Sequence, residues 1–348
     1  MAMAALSLFA CTKENDPAPP VEKTYTTGVF VSNEGVFGSG ESTLSHINHN
    51  PQEVTSTAFF DKNGYTLGDI FQSMTAHNGN LYMVINNSSV IEVADANTLE
   101  SKGQITGIVS PRYMVTNGNL GFVSDWADDA IKVVDLASNT VTSSIPVGGD
   151  PEGMFVHNGM LYVANSGGSV YPPAPDSTMS VIEIATLTEK QKVVLGLGPH
   201  SIQLDANGMI WVVCSGLSDF SDPSRDKEGS LVKVNTSTFT TESYVISDLS
   251  IHPARLNTNG AMDKMYYTSN IYGGAMYAMD ITATQVPSSP LINESFYGLG
   301  VHPATGNIYR GYSPAFDQNG FVYRYDQNGS LIDSSSAGIG PNGFFFID

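Results

Sequence analysis

An apolar strand, an Asn-Gly pair and a second apolar strand recur five times along this chain. The copies run from Met74 to Val84, Met114 to Val123, Met154 to Val163 and Ile202 to Val212, with a fifth from Leu256 through Asn259-Gly260 to Tyr267. Successive Asn residues stand roughly 39, 41, 49 and 52 positions apart, the period of a four-stranded propeller blade. Asn-Gly supplies the two positive-φ residues that a type I′ turn needs, so each copy predicts a tight hairpin. A third strand follows in each unit, such as Ala130 to Asp135 or Ser180 to Ile184, then a polar turn and an outer strand such as Val141 to Ile145. Corners at Ser110-Pro111, Asp150-Pro151, Gly198-Pro199 and His252-Pro253 lead into the next unit. Strands this short cannot bury their faces alone and must stack radially. The expected fold is all-β: a seven-bladed β-propeller.

Both ends of the pattern are half-blades. The first unit opens at Gly28-Val29-Phe30-Val31-Ser32-Asn33, a second-strand sequence with no first strand before it. The last segment, Gly340 to Asp348, reads as a corner and an innermost strand with no successor. The C-terminal strand is therefore expected to complete the N-terminal blade, closing the ring and removing a free sheet edge.

The chain has 348 residues, 41% of them hydrophobic, with 34 Gly, which suits one large all-β domain with many turns. Its net charge of −19, with 15 basic residues thinly spread, argues against a nucleic-acid partner, whose phosphates need Lys and Arg to displace counterions. Two cysteines occur. Cys214, within Ile210 to Cys214, reads as a small buried apolar side chain. Cys11 ends the run Leu6-Ser7-Leu8-Phe9-Ala10-Cys11, which resembles a bacterial lipobox, and the proline-rich stretch after it resembles a flexible tether. The expected organisation is a lipoprotein signal remnant over 1–11, a tether over 12–24 and the propeller over 25–348. Cys11 is the expected acylation site, and the address an outer membrane, lipid-anchored and exposed at the cell surface.

Catalytic patterns are sparse. There is no Gly-x-Ser-x-Gly elbow, phosphate-cradling loop or His-Glu-x-x-His sequence, and Asp125 to Asp129 lacks the spacing of a defined calcium loop. Neither a metal nor a required cofactor is expected. Binding chemistry is better supplied. In a propeller, the corners entering the innermost strands share one face with the loops joining strands two and three. Aligned on the first apolar residue of each innermost strand, the corners place Gln72, Arg112, Glu152, His200, Ala254, Tyr297 and Asn342 at one level. Ser73, Tyr113, Gly153, Ser201, Arg255, Gly298 and Gly343 follow at the next. The loops add Asn33, Glu34, Phe37, Asn86, Asp125, Trp126, Asn165, Tyr171, Phe220, Asn270, Tyr272, Tyr312 and Phe316. Aromatic groups with converging amides and charges suit a large amphipathic ligand. The ligand-contacting set expected from these is Glu34, Phe37, Gln72, Arg112, Tyr113, Asp125, Trp126, Glu152, His200, Arg255, Tyr272, Tyr297, Tyr312, Phe316 and Asn342. An enzyme of lactonase or lyase type would instead draw on His200, Glu152 and Arg112, and an adhesion module would use the same loops.

The recurrent Asn-Gly-x-Leu-Tyr-Val, Ile-x-Val-x-Asp and Gly-x-x-Pro segments resemble the YncE-like seven-bladed propellers. Phe30-Val31-Ser32-Asn33-Glu34-Gly35 behind a lipobox resembles a surface-lipoprotein branch in Bacteroidota that includes the BtuG-type corrinoid-binding proteins. That resemblance covers residues 25 to 348. It implies a monomeric binding protein, not an enzyme, that captures a corrinoid (cobalamin or cobinamide) and hands it to a TonB-dependent, BtuB-like outer-membrane transporter. Blade motifs encode strands and turns rather than chemistry, so a ferric siderophore or haem stays open as the ligand.

Overall fold

The computed structural model describes residues 23–168 and 173–347. Cys11, the lipobox, most of the tether and Tyr171 lie outside the described residues. Seven four-stranded antiparallel sheets follow one another around an axis, a seven-bladed propeller. The innermost strands of blades two to seven are Phe71–His77, Pro111–Asn117, Pro151–His157, Pro199–Leu204, Ala254–Thr258 and Gly298–Val301. Blade one takes its innermost strand from the C-terminus: Pro341–Ile347 pairs with Gly28–Asn33, with Val29 opposite Phe346 and Val31 opposite Phe344. The ring closes as the half-blades predict.

Period-two alternation decides where the core lies. Along Asn80–Ile85, Leu81 and Met83 enter the seam with blade one, while Tyr82 and Val84 enter the seam with blade three. Seven apolar clusters result, one in each seam between neighbouring blades. Cys214 sits in the seam between blades four and five, and burial pushes its thiol up to about 12. Two short elements go beyond the sequence reading: a 3-10 turn, Pro223–Arg225, in blade five, and a helix, Ala58–Asn63, on the way from blade one to blade two. Its Phe59 is buried beside Leu44 and Phe71.

The hairpins form, but only two of the five Asn-Gly pairs make the expected turn. Asn78-Gly79 (φ 48° and 74°) and Asn158-Gly159 (φ 49° and 75°) have both central residues at positive φ, as type I′ requires. The second copy is shifted by one residue. Asn117 pairs with Leu120, so Gly118 (φ 58°) and Asn119 form the turn, and Asn117 itself is not at positive φ. In blade five the Asp205 carboxylate accepts from the N–H groups of Asn207 and Met209 and organises a longer loop. In blade six Met262 (φ 53°) takes the left-handed position, and Asn259 Oδ1 accepts from the N–H of Asp263 and Lys264. Turn type is set by strand register, and a dipeptide alone does not specify it. Asn158→Ala should therefore cost about 1 kcal/mol through left-handed backbone strain, while Asn117→Ala should leave the urea midpoint almost unchanged. Equal losses at the two positions would contradict the assigned turns.

Candidate site at the channel mouth

Six of the seven innermost strands begin with a β-bulge. The ladder slips between Phe71 and Ser73, Pro111 and Met114, Pro151 and Met154, Pro199 and Ser201, Ala254 and Asn257, and between Pro341 and Gly343 of the closing strand. The residues left without a ladder partner are Gln72, Arg112 with Tyr113, Glu152 with Gly153, His200, Arg255 with Leu256, and Asn342. Proline heads four of these strands and has no N–H to donate, which weakens the ladder where it starts. Ile70, Asp150, Gly198 and Gly340, each just before an innermost strand, sit at positive φ and turn the chain sharply. A bulge bends its strand and re-aims a side chain. Here the re-aimed side chains meet.

Arg112 lies at the centre of the contacts. Its Nε and Nη2 donate to Glu152 Oε1 at 3.1 and 2.9 Å, and its Nη1 donates to Gln72 Oε1 at 2.5 Å. Its guanidinium covers the Trp126 ring at 3.9 Å, which joins the corner of blade three to the loop above it. His200 Nε2 stands 3.9 Å from the same Glu152 oxygen. Gln72 Nε2 donates to the Tyr113 hydroxyl at 3.5 Å. Burial holds the His200 imidazole below its ordinary range despite Glu152, so it is neutral at pH 7. Burial, followed by Glu152, raises Tyr113.

A second group carries the ring across the closure. Asn342 Nδ2 donates to Glu34 Oε1 at 2.7 Å and to the carbonyls of Phe71 and Gln72 at 3.2 Å, and Ser32 Oγ donates to Asn342 Oδ1 at 2.5 Å. The Tyr297 hydroxyl donates to Glu34 Oε2, and burial with that carboxylate raises the phenol strongly. Arg255, at φ 55°, lies over Tyr297 at 5.3 Å and donates to the carbonyls of Ile271 and Asn342. Asn342, Glu34 and Tyr297 thus tie blades one, two and seven together.

Of the loop residues, Phe37, Tyr272 and Phe316 are 76%, 70% and 60% exposed, and Phe220 is 89% exposed. These four stand on blades one, six, seven and five, an unbroken arc of the ring. Phe316 meets Tyr297 edge-on at 5.8 Å. The structure does not bring Asp125 or Tyr312 into the ring. The Asp125 carboxylate is fully buried and accepts from the N–H groups of Val109, Ser110 and Ala127. Tyr312 packs against Arg310 at 4.8 Å. Asn33 and Asn165 are likewise buried, each donating to a Thr and a Ser of its own blade. A cavity of about 330 Å³ opens beside the ring, lined by Trp126, Asp129, Gly149, Asp150, Gly167, Ala174 and Asp176. Among the described residues no three His, Cys, Asp or Glu side chains are grouped to hold a metal ion.

The bulges leave no signal in the sequence; in Pro111–Asn117 the burial pattern shows the slip, with Pro111 and Met114 both buried an odd three residues apart, which a strictly alternating strand does not allow on one face.

Acid should weaken the fold through its buried histidines. His46, His49 and His200 are all held below 6.5, first by burial. The unfolded chain then takes up protons first, so this stability is complete above about pH 6.5 and is lost as pH falls through the folded values. Thermal midpoints measured from pH 7.5 to 5 should fall. A flat profile over that range would contradict it.

The bulged corners and the loops above them make the mouth of a propeller channel. The chain belongs to the family described as a domain of unknown function, DUF5074, whose family model matches residues 27–346. No curated protein is similar in sequence. Among solved structures it is similar to a quinonprotein alcohol dehydrogenase-like protein from Bacteroides thetaiotaomicron, at 16% identity and TM-score 0.72, over 93% of this chain and 79% of that one. A candidate 6-phosphogluconolactonase from Bacteroides uniformis matches at 11% identity and TM-score 0.67, over 93% and 100%. AztD from Citrobacter koseri matches at 8% and 0.55, over 92% and 98%. At such identities the likeness is one of fold.

Proposed function

We propose that this protein is a ligand-capture propeller of the YncE-like kind, tethered through an acylated Cys11 to the outer face of an outer membrane. Its cargo is a corrinoid, bound as in the BtuG-type proteins it resembles and passed to a TonB-dependent transporter. One observation carries the capture reading: a rigid ring of bulged polar side chains lies beside an arc of four exposed aromatics, Phe220, Tyr272, Phe316 and Phe37. Large aromatic side chains exposed on one face suit a contact surface. A preformed polar ring loses little ordering entropy on binding. A flat amphipathic molecule can lay its apolar body on the arc and its polar edge on the ring. Neutral His200 beside Glu152 would equally supply a base for lactone or lyase chemistry.

Calorimetry against cobalamin, cobinamide, haem and a ferric siderophore separates these readings. Heat with the corrinoids is expected. Heat only with haem or the siderophore replaces the cargo, and turnover of a lactone replaces capture. Cys11→Ala is expected to move the protein from the membrane to the soluble fraction; continued acyl-labelling of that variant would end the anchoring proposal.

A further inference from the structure

Every arginine of the chain but one is paired with a carboxylate: Arg112 with Glu152, Arg225 with Asp219, Arg310 with Glu294 and Arg324 with Asp333. The exception is Arg255, at the channel mouth. Its guanidinium donates to the carbonyls of Ile271 at 3.2 Å and Asn342 at 3.4 Å, and to no carboxylate among the described residues. With 34 acidic residues against 15 basic ones, counter-charges are not scarce in this chain. The Glu34 carboxylate, in the same part of the ring, is engaged by Asn342 and by the Tyr297 hydroxyl instead. Arg255 is half-buried. Water can therefore meet its remaining N–H groups, but only an anion supplies the missing counter-charge.

The surroundings of Arg255 are continuous with the exposed aromatics. Its guanidinium lies over the Tyr297 ring at 5.3 Å, and Phe316 meets that ring edge-on at 5.8 Å. The Ile271 carbonyl it holds belongs to the residue before Tyr272, whose own N–H donates to Asn270 Oδ1 at 2.9 Å. Tyr272 and Phe316 are the exposed members of this group. The backbone of Arg255 is left-handed, at φ 55°, within the bulge between Ala254 and Asn257. A residue with a Cβ is disfavoured there, and strain of this kind gathers where a side chain has to be aimed. The result is an uncompensated cationic fork beside three aromatic rings.

We infer that Arg255 anchors an oxyanion, a carboxylate or a phosphate, on a ligand whose planar apolar body lies against Tyr297, Tyr272 and Phe316. Two oxygens of such a group match the two-pronged face of a guanidinium. The inference rests on the capture reading and names one group of the cargo.

Small aromatic probes test this without the cargo. Ligand-detected NMR titrations at neutral pH compare benzoate and phenyl phosphate with neutral benzyl alcohol and cationic benzylammonium, at matched ionic strength. The two anions are expected to bind at least about tenfold tighter than the alcohol or the ammonium compound. Inorganic phosphate should bind more weakly than phenyl phosphate, because it has no apolar body. Arg255→Gln should erase the preference for anions and keep the thermal midpoint, since no ion pair is broken. Arg255→Lys, which keeps the charge but not the fork, should retain part of the preference. Wild-type protein that binds benzyl alcohol as tightly as benzoate overturns the inference, and so does an anion preference that survives in Arg255→Gln. Inorganic phosphate that matches phenyl phosphate marks an adventitious ion only and overturns it too. Should Arg255→Gln not fold, the wild-type comparisons and Arg255→Lys still decide. Corrinoids that give no heat while phenyl phosphate binds through Arg255 refute the cargo alone; corrinoids that bind while neither aromatic anion does refute the anchor alone.

Discussion

Removing residues 341–348 is expected to abolish cooperative folding of the whole ring. Pro341–Ile347 is the innermost strand of blade one. Its side chains serve two seams at once. Phe345 and Ile347 pack into the cluster between blades one and two, while Phe344 and Phe346 pack between blades seven and one. Four half-buried large side chains are worth on the order of 5 kcal/mol, against a total stability of about 5–15 kcal/mol for an ordinary domain. Loss of the Asn342 bonds to Ser32, Glu34, Phe71 and Gln72 adds to this. A permutant in which a flexible linker joins Ile347 to Lys23, keeping the buried Tyr25 in the seam between blades one and two, should keep the wild-type thermal midpoint. New termini in the exposed outer turn at Ser138-Asn139 would suit it. A truncated protein that still melts in one sharp transition at the wild-type temperature would refute the closure.

Arg112→Met is expected to be the most damaging single substitution at the mouth. The guanidinium is nearly buried, and its partner Glu152 is more so. Without it, the Glu152 carboxylate loses its counter-charge and two hydrogen bonds, and Gln72 loses its donor. Breaking a buried pair from one side typically costs about 3–5 kcal/mol. Arg112→Met with Glu152→Gln should recover most of the loss, because no charge is then left unpaired. A double variant no more stable than the single one would show that packing on Trp126, rather than charge, is what Arg112 supplies.

Much of this was legible in the chain because propeller blades are local. Hairpins need only turn residues and alternation, and the half-blades at Gly28 and Pro341 require each other. The approximate level of Gln72, Arg112, Glu152, His200 and Asn342 followed from aligning the corners. What makes them meet did not follow, because a bulge is one residue of slip between two strands and leaves no composition of its own. The same blindness to register put Asn117 in a turn that belongs to Gly118 and Asn119. Asp125 shows a different limit. Its residue type fits a ligand contact as well as it fits three backbone N–H groups, and only the fold selects the second. The helix Ala58–Asn63 is too short for its period to stand out.

The mouth and the hairpin end of the channel are told apart by which of them takes the ligand. Amide hydrogen exchange with and without saturating cyanocobalamin measures this along the whole chain. Slower exchange is predicted in the mouth loops bearing Phe37, Phe220, Tyr272 and Phe316 and at the corners of Arg112, Glu152 and Arg255. The hairpins at Asn78-Gly79 and Asn158-Gly159, at the other end of their strands, should be unchanged. Protection confined to those hairpins, or none anywhere, would contradict it.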